Sequence, residues 1–280
     1  MLNQNEILKV ADIVSQEKGI ELDIVMQAME ESFEIIAKSK YGLENNIKAV
    51  IDRFTGNFKL THIPKRPEKP REKGLTMVMD KGLSLRQAED LISSSKEQID
   101  LLKLGFGTSF VTNNLAEKIK LYQSANIEVY PGGTLFEAFI ARKKFRDFRK
   151  FLDQYNLDMC EVSDGSIVLD HKEKCEFISK LAKSKTVLSE VGSKEQGILI
   201  SPSKWIKMMQ NELEAGSWKV IAEGRESGSV GIFRPNGSPH TILINKIIAK
   251  IDADKILWEA PGKKQQVWFI NLFGANVNLG

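Results

Sequence analysis

The chain has 280 residues, 42% of them hydrophobic and 28% charged, with a formal net charge of +3. This is a soluble globular composition with room for one large domain, or one of about 200 residues and a small companion. The charge balance is no signature of nucleic-acid binding, and with no run of about 18 apolar residues no membrane span is expected. Met1 to Glu6 lacks the basic and apolar regions of a signal peptide, so the cytoplasm is the expected compartment. Cys160 and Cys175 are too few for a disulfide framework or a zinc site.

The first elements read as two helices. Apolar residues at Ile7, Leu8, Val10, Ala11, Ile13 and Val14 have helical spacing, and Glu21 to Tyr41 repeats it, with Gly42 placed to cap the end. Asn46 to Leu60 alternates around a turn at Thr55-Gly56-Asn57 and predicts a β-hairpin. A module of this size is too small for a generous core of its own. Glu6-Ile7, Ala28 to Ser32, Lys38 to Gly42 and Ile51 to Phe58 together resemble the amino-terminal domain of the NusA-type transcription factors. That resemblance implies an RNA polymerase contact through residues 1–62. A fused remnant without that role is the alternative, because no RNA-binding modules follow.

Ile63 to Lys73 is rich in proline and charge and reads on composition as an extended linker. From Gly74 onward, short apolar runs and helical patterns alternate with the spacing of successive βα units. Strands are predicted at Leu75 to Met79, Ile99 to Leu104, Ile127 to Tyr130, Leu157 to Val162, Thr186 to Val191, Val220 to Ala222 and Lys255 to Trp258, with a last one starting at Val277. Between them come helices over Ser84 to Lys96, Asn113 to Ser124, Leu135 to Tyr155, Lys172 to Lys183, Ser203 to Ala215, Pro239 to Ile251 and Gln265 to Phe273. Ser84 and Gln87 form a capping-box pair. The strand count is that of a (β/α)₈ TIM-type barrel preceded by the small α+β module. An open doubly wound sheet, the competitor, calls for fewer strands and a glycine fingerprint in its first turn.

In such a barrel the carboxyl ends of the strands form the active-site mouth. Val220 to Ala222 reads as a strand buried on both faces, yet it runs directly into Glu223, Arg225 and Glu226. An internal ion-pair network would account for one such strand end, and a charged ligand or metal for a ring of them. The pattern recurs at Asp80, Lys103, Gly132 to Thr134, Glu161 with Asp164, Glu190 with Lys194, and Glu259 with Lys263. Glu190, Glu223 and Glu259 are the expected metal ligands, since oxygen donors suit Mg²⁺. Lys103, Lys194 and Glu226 are the catalytic candidates. Asp80, Gly107, Thr108, Ser109, Gly133, Thr134, Arg225 and Lys263 are expected to bind substrate, the cations holding phosphate or carboxylate and the glycine turns offering backbone N–H groups. No serine or cysteine has a strand-end histidine beside it, which disfavours covalent hydrolysis and favours a metal-assisted reaction on a small phosphorylated carboxylic acid.

These stretches resemble the phosphosulfolactate synthase family. The resemblance is carried by Asp80-Lys81-Gly82, Lys103 to Ser109, Gly132 to Glu137, Glu161 to Gly165, Glu190 to Lys194, Glu223 to Gly228, Glu259-Ala260-Pro261 with Lys263 to Gln266, and Asn276 to Gly280. It implies a barrel over 63–280 that adds sulfite to phosphoenolpyruvate with Mg²⁺, on the way to coenzyme M, and it makes Ile63 to Lys73 the barrel's own opening segment. Lys103 and Lys194 are equal candidates for the proton donor, and Arg225 with the Gly107-Thr108-Ser109 turn is expected to take the phosphate. The chain departs from the family at Arg234, where members carry an aspartate, and the family continues beyond Gly280 by a helix-sized segment, so a carboxyl-terminal truncation is expected. A non-catalytic interaction or stress-associated protein of the same fold family is the alternative reading. Whether the protein forms a homo-oligomer stays open, and no direct nucleic-acid contact is expected.

Overall fold

The structure is a computed structural model and describes residues 4–41, 47–62, 66–192, 200–225 and 227–280. The chain divides into two compact units, Met1–Arg66 and Pro67–Gly280. Among the described residues, no helix is long and apolar enough to cross a membrane.

The first unit contains helices α1 (Gln4–Lys18) and α2 (Leu22–Tyr41) and the antiparallel strands β1 (Ile47–Ile51) and β2 (Phe58–His62). Ile7 and Ala11 share a face one turn apart and pack with Val25, Met26 and Ile51 into a small buried core. The free edge of β1 is covered from α2. The N–H groups of Ala49 and Ile51 donate to the carboxylates of Glu34 and Glu30 at 3.1 and 2.8 Å. Between the strands Asp52 closes the turn, its N–H donating to the Asn57 carbonyl at 2.8 Å while its carbonyl accepts from Gly56 at 2.9 Å. The predicted helix cap at Gly42 lies outside the described residues.

In the second unit strands and helices alternate. The order is β3 (Met77–Asp80), α3 (Leu85–Ser95), β4 (Leu101–Leu104), α4 (Leu115–Ser124), β5 (Glu128–Pro131), α5 (Gly133–Ala141), α6 (Phe145–Gln154) and β6 (Met159–Val162). There follow α7 (His171–Leu181), β7 (Thr186–Val191), α8 (Pro202–Glu214), β8 (Lys219–Ala222), α9 (Thr241–Ile248), β9 (Ile256–Trp258) and α10 (Lys263–Phe273). All strand pairings here are parallel, in one sheet ordered β3-β4-β5 and another ordered β6-β7-β8-β9. Leu279 makes parallel bridges to both Thr76 and Trp258, so the segment ahead of β3 and the last strand share a neighbour. Val277 to Leu279 was expected to start a strand; Leu279 supplies these bridges.

The expected capping box is present. Ser84 caps α3 by accepting from the N–H of Gln87 at 3.2 Å, and Gln87 returns the bond to the Ser84 N–H at 2.9 Å. The helix expected over Leu135 to Tyr155 is instead two. The chain turns at Arg142 to Lys144, with Lys143 in the left-handed region at φ 57°, and folds α6 back so that Phe148 is buried against Phe136 and Phe139 at ring separations of 5.4 and 5.7 Å. No glycine or proline marks this turn, and aromatic burial outweighs the strain of one non-glycine residue at positive φ.

Candidate active site

The pleat builds the site. Side chains alternate along a strand, so residues two apart share a face. Leu101, Met159, Leu188, Ile221 and Leu257, one from each of β4 and β6 to β9, meet in a single apolar cluster. Two residues further along, the same faces carry Lys103, Glu161, Glu190, Glu223 and Glu259. The intervening residues, among them Leu102, Cys160, Ala222 and Trp258, pack beneath the helices. A one-residue slip of any strand would turn its charge into the helix layer, and this fixes the register strongly. The charged layer lines a cavity of about 450 Å³.

Lys103 stands at its centre. Its ammonium lies 2.9 Å from Glu161 Oε2, 3.4 Å from Glu259 Oε1 and 3.5 Å from Glu190 Oε2. Burial works against its charge, but the carboxylates of Glu161, Glu259 and Glu190 outweigh burial and hold its pKa well above the ordinary lysine value. That direction favours the ammonium form, a donor and not a free base. Beside it, burial and then the negative charge of Glu161 push the Tyr130 phenol up. Glu190, Glu223 and Glu259 place one carboxylate oxygen each within 4.8 Å of one another, a set of hard donors able to hold a divalent cation.

The loops complete the wall. Gly133 opens α5 and its N–H donates to Glu161 Oε1 at 2.7 Å. A Cβ here would lie 2.8 Å from that oxygen and collide with Ser163, so only glycine fits. Glu137, buried on α5, accepts from the Ser163 hydroxyl and from the N–H groups of Gly165 and Ser166, the last two at 3.1 and 2.8 Å. These bonds fix the loop after β6 and set Ser166 on the cavity wall. Glu223 Oε1 accepts from the Arg225 N–H at 2.8 Å, and Glu259 Oε2 from the Gly224 N–H at 3.2 Å. Arg225 sits in the left-handed region at φ 55° with an exposed side chain at the rim.

Of the residues singled out in the sequence, the cavity brings together Lys103, Thr134, Arg225, Glu190, Glu223 and Glu259, with Gly133 directly behind. Asp80 is placed elsewhere. Its carboxylate accepts from Lys118 at 2.8 Å, Tyr122 at 3.1 Å and the N–H groups of Gly82 and Leu83, each at 2.7 Å, pinning the end of β3 to α4. Thr108 lines a neighbouring hollow with Lys81 and Lys118. Gly107 and Ser109 flank it in the short 3₁₀ segment Gly105–Phe110, Ser109 with its side chain buried. Lys263 is exposed at the start of α10, away from the cavity lining. Lys194 and Glu226 lie outside the described residues. Sequence reasoning passed over Glu161 as the nearest partner of Lys103, over Ser166 and Glu137, and over Lys174. Glu161 was findable, because it occupies the same pleat position as Glu190. Glu137 and Lys174 sit within helices, where a charged residue usually faces solvent.

Parallel strands flanked by helices, with a charged cavity at their carboxyl ends, define an α/β enzyme. Residues 64–280 match the (2R)-phospho-3-sulfolactate synthase family (ComA), and the chain belongs to it. It is 37% identical over 220 residues to the phosphosulfolactate synthase of Bacillus subtilis (strain 168), covering 78% of this chain and 87% of that one. It is 39% identical over 215 residues to that of Methanocaldococcus jannaschii, covering 74% and 85%. Residues 6–90 match the NusA N-terminal domain. The transcription termination/antitermination protein NusA of Rickettsia prowazekii is 43% identical over 60 residues, 21% of this chain and 12% of that protein.

Proposed function

We propose that the Pro67–Gly280 unit is a (β/α)₈ barrel that adds sulfite to phosphoenolpyruvate with Mg²⁺, giving phosphosulfolactate toward coenzyme M. The family match supports the reaction. The observation that carries the site is the layer of Lys103, Glu161, Glu190, Glu223 and Glu259 in one cavity. The bridges from Leu279 to Thr76 and Trp258 support the eighth position of the barrel, and the β1–β2 ladder is read as the hairpin of the smaller module.

Glu161, Glu190, Glu223 and Glu259 against Lys103 and Arg225 leave the cavity two formal negative charges in excess. Such a cavity repels a phosphorylated carboxylate and sulfite unless a divalent cation sits among the glutamates. Glu190, Glu223 and Glu259 would hold it. When bound, Mg²⁺ supplies electrostatic stabilisation of charge gathering on the substrate carboxylate. Arg225 at the rim binds the phosphate. The sulfur lone pair of sulfite forms the bond to the methylene carbon, the double-bond electrons shift toward the carboxylate, and the adjacent carbon takes a proton. Lys103, held as an ammonium, delivers that proton, with Lys194 as the alternative donor.

Phosphorus NMR of the protein with phosphoenolpyruvate, sulfite and Mg²⁺ tests this. A new phosphate-ester resonance is expected that requires sulfite and disappears with EDTA. Its absence under saturating reactants would end the synthase reading.

The match of residues 6–90 to the NusA N-terminal domain favours a second, separate reading, an RNA polymerase contact by the first unit. Retention of purified polymerase on the immobilised chain is the test, and no retention at micromolar concentration removes it.

A further inference from the structure

We propose that Lys174 is a positioning residue for this site, fixing the main chain of Glu190 and the Ser166 loop in one register from behind the sheet. The inference rests on the synthase reading for its activity measurements only.

Lys174 lies one turn inside α7, whose first turn is capped by Asp170, and its side chain is completely buried. A fully buried lysine is rare and needs a partner for every proton. An ammonium has three, and three acceptors surround this one. They are Asp164 Oδ1 at 2.9 Å, Glu212 Oε1 at 2.9 Å and the carbonyl oxygen of Glu190 at 2.6 Å. The acidic partners outweigh burial and keep it charged.

The identity of the acceptors separates this from plain packing. Asp164 lies two residues ahead of Ser166, and Glu190 carries a carboxylate of the candidate metal set; both Ser166 and Glu190 line the cavity. Glu212 comes from α8 and is itself approached by His171 Nε2 at 3.2 Å, so it anchors the ammonium. One side chain therefore ties the ends of β6 and β7, which are neighbours in the sheet. Buried ion groups contribute poorly to net stability compared with apolar replacements of similar shape, so what this cluster supplies is geometry. Groups of this kind behind metal-binding side chains typically change metal affinity or activity 10- to 100-fold when altered. Lys174 does not line the cavity.

The test uses the full chain as wild type, K174M, K174R and the charge-balanced K174M/E212Q. Each is followed by thermal melting, by Mn²⁺ titration read by electron paramagnetic resonance, and by turnover of phosphoenolpyruvate and sulfite. The expected result is that K174M/E212Q melts cooperatively near wild type while Mn²⁺ affinity and kcat each fall about 10- to 100-fold. KM for phosphoenolpyruvate should change less than about threefold, since Arg225 is untouched. Wild-type Mn²⁺ affinity in the double variant overturns the proposal. So does loss of cooperative melting in every variant including K174R, which would make Lys174 a folding element. A wild type that binds Mn²⁺ without turnover ends the synthase reading alone, and the Mn²⁺ titration still decides Lys174. A wild type that binds no Mn²⁺ overturns both.

Discussion

Lys103 is the residue on which the charged layer depends, because among the described residues its ammonium pairs with Glu161, Glu190 and Glu259 together. Replacing it with methionine leaves buried carboxylates facing one another. The expected outcome is a loss of about 3–5 kcal/mol in urea unfolding and at least a ~100-fold fall in turnover. Unchanged turnover in K103M would shift the proton-donor role to Lys194. Asp80 shows a different use of a strand-end acid. Burial raises its pKa, but the bond from Lys118 and those from the Leu83 and Gly82 N–H groups outweigh burial and hold it below its ordinary value of 3.8. The folded pKa is the lower one, so between the two values the unfolded chain binds more protons and stability rises with pH. The contribution is complete above about pH 3.8 and is lost as pH falls through the depressed folded value. Wild type should therefore exceed D80N in stability at pH 6, with the gap closing below pH 4. A gap that is constant from pH 6 to pH 3 would contradict the ion-pair account.

At the scale of elements, the loop from Gly224 to Ser238 carries Arg225 and is held by one side chain of α10. Gln265 Nε2 donates to the carbonyls of Gly228 and Gly237 at 2.9 and 3.0 Å, and its Oε1 accepts from the Gly262 N–H at 3.0 Å. Gln265→Leu keeps the volume and removes all of these bonds. The expected result is a roughly 10-fold rise in KM for phosphoenolpyruvate with kcat within about threefold, because the loop bearing Arg225 loosens while the glutamates stay. Steady-state kinetics that show only a fall in kcat would place the loop in the chemical step instead. Much of this level was legible beforehand. The capping pair Ser84 and Gln87, the buried strand Val220 to Ala222 and the alternation that places Glu190, Glu223 and Glu259 on one face are all written in short-range pattern. The break between α5 and α6 was not, because Lys143 adopts a conformation that sequence associates with glycine. Nor was the work of Glu137 and Lys174, since a helix presents three or four faces and only the fold decides which one is covered. The partners of Asp80 were out of reach for the same reason, as Lys118 and Tyr122 are about forty residues away.

For the molecule as a whole, every described residue of the cavity falls within Pro67–Gly280. A chain beginning at residue 63 is expected to keep kcat within about twofold, and a loss greater than tenfold would show that the first unit takes part in catalysis. The two units meet at Arg66 and Pro67, whereas the sequence put the junction at about residue 62 and composition alone made Ile63 to Lys73 a free tether. Lys69 and Arg71 belong to the larger unit, where Arg71 pairs with Asp100 at 2.7 Å and Lys69 donates to the carbonyls of Lys96 and Asn126 at 2.8 and 3.2 Å.

Leu279 sits beside Thr76 on one flank and Trp258 on the other, and nearby the Leu75 N–H donates to Asn278 across 203 residues of sequence. On the ribosome this makes the order of events one-sided. The helices and ladder of the first unit all lie ahead of residue 63 and can set as soon as they clear the exit tunnel. The segment ahead of β3 emerges soon afterwards yet must wait, one edge bare, until just over two hundred further residues have been added. During that interval its exposed backbone is a target for chaperones and for the same edge on another nascent chain. A synonymous codon change that slows translation between β3 and Leu279 would lengthen the exposure without altering one atom of the finished protein.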